Sequence, residues 1–222
     1  MSTRTAVKEL SNQLMDPEYI LEHAHLWFLP ESTATSRDDI FMEFGDMSLF
    51  LGIFEDKDGT CRWTKLSPQV LSLVQGDTMD EKFQVFYDAA TKNLIRDAKV
   101  YPMEDITRIG EMVESSAWMD FGDGNVPFVV TLNSNLNGDA VFYVMAKQIE
   151  EQIGCGFYVL PISVNEAILY PLSMEVTRNE LESLLRAVRQ NIVKPDERLS
   201  NSILLYKNGI FHQAKEVEVV YS

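Results

Sequence analysis

Residues 154–171 read Gly-Cys-Gly-Phe-Tyr-Val-Leu-Pro-Ile-Ser-Val-Asn-Glu-Ala-Ile-Leu-Tyr-Pro, and their reading decides the fold. Two short apolar runs, Phe157 to Leu160 and Ala167 to Tyr170, are each closed by a proline, with the polar turn Ser163-Val164-Asn165-Glu166 between them. Runs this short, rich in aromatic and branched side chains and bounded by Gly and Pro, form buried strands rather than helices. Val159, Leu160, Ile168 and Leu169 are expected to be inaccessible, with the flanking helices packed against them.

Downstream, Thr177-Arg178-Asn179-Glu180 is a capping box, and Leu181, Leu184, Leu185 and Val188 give its helix one apolar face. Lys194-Pro195-Asp196 ends that region, and Asn208-Gly209 joins Ser202–Lys207 to Ile210–Gln213 as a terminal hairpin. Upstream, a helix from Ala146 to Ile153 stops at Gly154 in the C-terminal capping position. Before it the pattern predicts strands over Val126–Leu132 and Ala140–Met145, joined by an Asn/Gly turn. A loop at 121–125, a helix from Ile106 to Ser115 and a brief strand at Val100-Tyr101 precede these. Thr78 to Glu81 is a second capping box, opening a helix to about Asp97, and Ser67-Pro68 caps a short helix to Val74.

Residues 39–66 read as β-structure: Ile40–Phe44, Leu49–Phe54, then Cys61–Thr64 returning after Asp58-Gly59. Asp16-Pro17-Glu18 starts a helix expected to carry Tyr19, Ile20, Ala24 and Trp27 before Pro30, and residues 3–14 a short amphipathic one. Strands and helices come in runs without strict alternation, which predicts an α+β fold with mixed or antiparallel sheets and packed helices. The expected organisation is one unit over residues 1–222, in which lobes 1–120 and 121–222 could be distinguished at the loop after Gly122.

The chain has 222 residues, enough to bury roughly 70% of its unfolded surface without a metal or disulfide. No apolar run approaches the roughly 18 residues of a membrane span, and no hydrophobic signal core follows the N-terminal residues, so a cytoplasmic protein is expected. Cys61 and Cys155 are then free thiols.

Lys and Arg number 19 against 34 Asp and Glu, a formal charge of −15. That disfavours direct binding to nucleic acid or to anionic membrane, where Lys and Arg must meet phosphates. The excess sits mainly in residues 1–50, with 3 basic and 9 acidic residues, and 101–150, with 2 and 8. Converged on one face, these segments would attract a protein partner with a basic surface; Asp38, Asp39, Glu111 and Glu114 are its candidate contacts.

Chemistry-bearing constellations are few. His23 and His25 are two residues apart, so on a helix they diverge, and on a strand they would share a face but still lack further ligands. His212 falls in the terminal hairpin. Cys155, between two glycines after the C-terminal end of a helix, reads as a small structural residue. Asp56-Lys57-Asp58-Gly59 begins like a calcium loop without its remaining ligands, and Asp120, Asp123 and Asn125 are a weaker version. Phosphate-loop, dinucleotide and nucleophile-elbow motifs are absent from the sequence, so no metal or cofactor is expected. The Asn165-Glu166 turn is the one candidate polar anchor, either a structural turn or the floor of a pocket between the central strands.

From about Met103 onward the pattern resembles a bacterial family of uncharacterised proteins, a domain of unknown function. The resemblance rests on Leu132-Asn133-Ser134-Asn135-Leu136-Asn137-Gly138, Phe157–Pro161, Glu166–Leu169 and Leu199-Ser200. It implies a shared fold and no activity. A Ser and a His usually stand in the family where this chain has Ile162 and Asn165, so any chemistry of that imidazole is absent here, and the first 75 residues depart from the family's opening. The reading is a non-catalytic acidic binding or regulatory protein that acts on another protein, for example as an inhibitor; the alternative is an enzyme working through scattered carboxylates.

Overall fold

The computed structural model describes residues 16–31, 33, 38–57, 60–103, 125–132 and 138–213. The helices expected over residues 3–14 and 106–115 lie outside the described residues, which begin with α1 (Pro17–Glu22), capped by Asp16, whose carboxylate accepts from the Glu18 N–H at 3.0 Å. The helix ends well before Pro30: Ala24–Pro30 is strand β1, not the helical continuation the sequence suggested. The side-chain amide of Asn93 donates to the carbonyls of Leu21, Glu22 and Ala24, which satisfies the helix end from outside. Beyond it the continuous run Leu26-Trp27-Phe28 has apolar bulk for both faces of a strand, and pairing with β3 fixes it there.

β2 (Phe41–Phe44), β3 (Met47–Lys57) and β4 (Thr60–Lys65) complete the first sheet. β3 is its spine: β1 lies antiparallel along one edge, while β2 and β4 share the other. Lys57 opposes Thr60, so the expected hairpin exists, although its turn at 58–59 lies outside the described residues. Alternation sends Met47, Leu49, Leu51 and Ile53 into the core. The other face carries Phe50, Phe54, Trp27 and Trp63, with Trp63 stacked on Phe54 at 4.3 Å. Gly52 leaves room for this layer, since a Cβ there would lie 2.5 Å from the Trp27 ring and 2.2 Å from the Thr64 carbonyl oxygen.

α2 (Pro68–Leu71) is capped by Ser67 as expected but ends short of Val74, while the Thr78–Glu81 capping box opens α3 (Met79–Asp97) as read from the sequence. Phe86, Ala90 and Leu94 of α3 are buried in the same cluster as Leu26 and Phe28 of β1.

Among the described residues the second sheet has six antiparallel strands. β5 (Ala98–Pro102) follows α3 directly, and β6 (Phe128–Leu132) pairs with it. The expected strand at 140–145 is instead a single helical turn, α4 (Val141–Val144). Val141 and Phe142 are both fully buried, an adjacent pair that no half-buried strand accommodates, and Phe142 stacks on Phe28 at 5.4 Å. α5 (Ala146–Ile153) ends at Gly154 with φ 75°, as its capping position requires. β7 (Phe157–Leu160) and β8 (Glu166–Pro171) come next, then α6 (Arg178–Asn191), β9 (Leu204–Lys207) and β10 (Ile210–Gln213). Strand order is β10-β9-β7-β8-β6-β5, so the stretch that opened the reading forms the middle of the sheet. Val159, Leu160, Ile168 and Leu169 are each 0% exposed.

The alternation of β7 and β8 feeds two cores. Phe157, Val159, Ala167 and Leu169 join the cluster that also contains α3, α4 and the first sheet. Leu160, Ile168 and Tyr170 face the other way, against Leu181, Leu185 and Val188 of α6. The result is α+β: two antiparallel sheets, with α6 covering the outer face of the larger. Among the described residues no helix is long and apolar enough to cross a membrane.

Candidate binding groove

The turn between β7 and β8 is held by Ser163, whose hydroxyl accepts from the Asn165 and Glu166 N–H groups at 3.2 Å each. The Asn165 carbonyl in turn accepts from the Thr131 hydroxyl at 2.8 Å and from the Gly138 N–H at 3.1 Å. Glu166 opens β8 and is only 7% exposed. Ser163 bridges Arg198 as an isolated antiparallel pair, and the Val164 N–H donates to the Glu197 carbonyl at 2.9 Å. The turn is thus the inner support of segment 197–203.

The outer side of that segment forms a groove with α6. Its cavity of about 500 Å³ is lined by Arg178, Glu182, Arg186, Arg189 and Gln190 of the helix, and by Arg198, Asn201 and Ser202 opposite. Positions 178, 182, 186 and 189 recur at helical spacing, so they share the face beside the buried stripe of Leu181, Leu185 and Val188. Four of the chain's nine arginines therefore converge here.

Three are anchored. Arg178 pairs with Glu182 at 2.8 Å, Arg189 donates to the Ser200 carbonyl and to the Asn201 side-chain oxygen, and Arg198 Nε donates to the Val193 carbonyl at 3.3 Å. Arg186 is exposed and has no hydrogen bond or ion pair with any described residue. Asp46, in the β2–β3 turn, accepts from the Ser200 hydroxyl at 2.5 Å and the Asn201 N–H at 3.2 Å, and braces the outer wall from behind. Burial and the neighbouring Arg198 charge both push the Arg189 pKa down, against a partial offset from Asp46.

Asp39 is paired with Lys65 at 2.9 Å, and Lys65 lies over the Phe50 ring at 4.2 Å. Asp38 is exposed at the same end of the first sheet. Glu111, Glu114, Asp120 and Asp123 lie outside the described residues. His23 ends α1 and stacks on Tyr19, whereas His25 packs in β1 against Trp63, so the two imidazoles have separate surroundings. His212 is exposed in β10, and Cys155 is a half-buried free thiol. Among the described residues no three His, Cys, Asp or Glu side chains are placed to hold a metal ion.

Residues 42–208 match the family of unknown function DUF5688. The chain belongs to that family. The DUF5688 match reaches further toward the N-terminus than the resemblance legible in the sequence, since it takes in most of the first sheet. It includes every groove residue from Arg178 to Ile203, while Asp38 and Asp39 precede it. No curated protein and no solved structure matches the chain.

The sequence reading passed over the groove. Its signal was present in Arg178, Arg186, Arg189 and Arg198, a basic concentration in an acidic chain. Averaged over residues 151–222, however, 7 basic residues stand against 9 acidic ones and hide it.

Proposed function

We propose that this DUF5688 protein is a non-catalytic binding or regulatory protein that acts on another protein, and that the groove beside α6 is where it takes hold. The observation that carries the reading is the gathering of four guanidinium groups around one cavity in a chain of net charge −15. Guanidinium forks recognise anionic groups through paired hydrogen bonds. The groove is suited to an anionic segment of the partner, and the acidic remainder of the surface to a basic surface around that segment. The strongest polar interior features serve architecture: Ser163 caps a turn, and Asp139 anchors a strand edge. A cytoplasmic setting suits the free thiol of Cys155.

The test is affinity capture from native lysate with the parent chain and with Arg186→Glu/Arg198→Glu. Proteins held by the parent and released by the charge-reversed variant are expected. An identical set retained by both would remove the groove as the binding surface.

A further inference from the structure

We propose that the groove reads a phosphate monoester on its partner, a phosphorylated side chain in preference to a carboxylate; this rests on the groove being the partner-binding surface. Among the described residues, four arginines line the cavity against two carboxylates, Glu182 and Asp46, an excess of two positive charges. A side-chain carboxylate supplies one negative charge. A phosphorylated side chain supplies about 1.5 to 2 at pH 7, with three acceptor oxygens, and so matches the excess.

Donor geometry agrees. A guanidinium has five N–H donors; Arg178 is held by Glu182, and Arg189 and Arg198 spend bonds on Ser200 and Asn201 and on Val193. Those bonds fix the three forks, and those on Arg189 and Arg198 with described residues use fewer than five donors each. Arg186, without a described partner on the helix face between Arg178 and Arg189, is the arm that can close on a ligand. Arg189 and Arg198 repel each other, a cost that an anion between them relieves. Gln190, Asn201 and Ser202 add uncharged hydrogen-bonding groups to the rim.

Size and surroundings argue against a nucleic-acid strand. About 500 Å³ holds a phosphoryl group and the side chain that carries it. Phosphates further along a polymer would lie over a protein whose net charge is −15. A single group inside the groove is governed by the guanidiniums within a screening length of about 8 Å.

The experiment measures binding of the full chain to three labelled peptide pools with randomised flanks, centred on phosphoserine, serine or glutamate. AMP and a single-stranded oligonucleotide serve as competitors. The phosphoserine pool is expected to bind at least tenfold more tightly than either other pool. Arg186→Ala should lose at least tenfold, and Arg186→Lys should recover only part, because an ammonium lacks the planar fork. Arg62→Ala, exposed on the first sheet, should bind like the parent.

Equal binding of the glutamate and phosphoserine pools would overturn phosphate recognition yet keep the groove as an anion site. Direct binding of labelled AMP with no binding of any peptide pool would make it a nucleotide site and overturn the phosphoprotein assignment. Tighter binding of the oligonucleotide would overturn it in favour of nucleic acid. Full binding by Arg186→Ala, or binding of no probe at all, would overturn this proposal together with the groove's assigned role.

Discussion

Asp139 offers a prediction whose size follows from the structure. Its side chain is fully buried, and Oδ2 accepts the Phe28 N–H at 2.7 Å. Phe28 sits on β1, which among the described residues is an edge strand, and the carboxyl takes its outward N–H and ties that edge to the start of α4. Burial pushes the Asp139 pKa well above its usual value, and outweighs the backbone N–H bonds that favour the charged form. A carboxyl raised in the folded state contributes stability that is fully present below its unfolded pKa. That stability is lost as pH rises through the folded pKa, at no more than about 1.4 kcal/mol per pH unit. Asp139→Asn keeps a carbonyl acceptor for Phe28 and cannot titrate. Asp139→Ala removes the acceptor and strands a buried N–H, at about 1–3 kcal/mol. Urea unfolding of the parent and both variants from about pH 4 to about pH 8 measures these terms. The parent should lose stability relative to Asp139→Asn as pH rises, and Asp139→Ala should be the least stable of the three at the acid end. A parent-minus-Asn difference that stays flat with pH, or an Ala variant as stable as the parent, would refute the anchor.

Leu169 is fully buried opposite Phe128 and Val159, so Leu169→Ala should cost about 2–5 kcal/mol by chemical denaturation; an unchanged midpoint would remove the central strands as the organising element. Glu166→Gln should leave peptide binding as in the parent, because the turn supports the groove from behind through backbone contacts; loss of binding with the melting temperature preserved would move the site to the turn. If the acidic segments steer a basic partner, neutralising Asp38, Asp39, Glu111 and Glu114 should slow association at low salt and leave dissociation unchanged. Equal association rates at every ionic strength would sink that role.

Legibility in the sequence followed the range of the interaction responsible. The capping boxes at Thr78 and Thr177, the Gly154 stop and the Asn208-Gly209 turn are local, and each appears where the residues place it. The two misread elements were decided from a distance. α1 ends where Asn93, some seventy positions later, takes its terminal carbonyls, and β1 extends because β3 is there to pair with it. Residues 141–144 resemble a strand by composition, yet they turn helically where Asp139 holds Phe28 and both Val141 and Phe142 are buried. The groove was hidden for a similar reason. A helix face and an extended segment supply its arginines together, and a net charge of −15 directs attention to the acids instead.

The central claim is that anions are held by four particular guanidiniums. The most direct measurement follows the arginine side-chain Nε–Hε NMR resonances of the intact chain during titration with the phosphoserine peptide pool. Saturable shifts at Arg178, Arg186, Arg189 and Arg198, with Arg62 and Arg96 unmoved, are predicted. Shifts absent from those four, or spread evenly over all the arginines, would contradict the account.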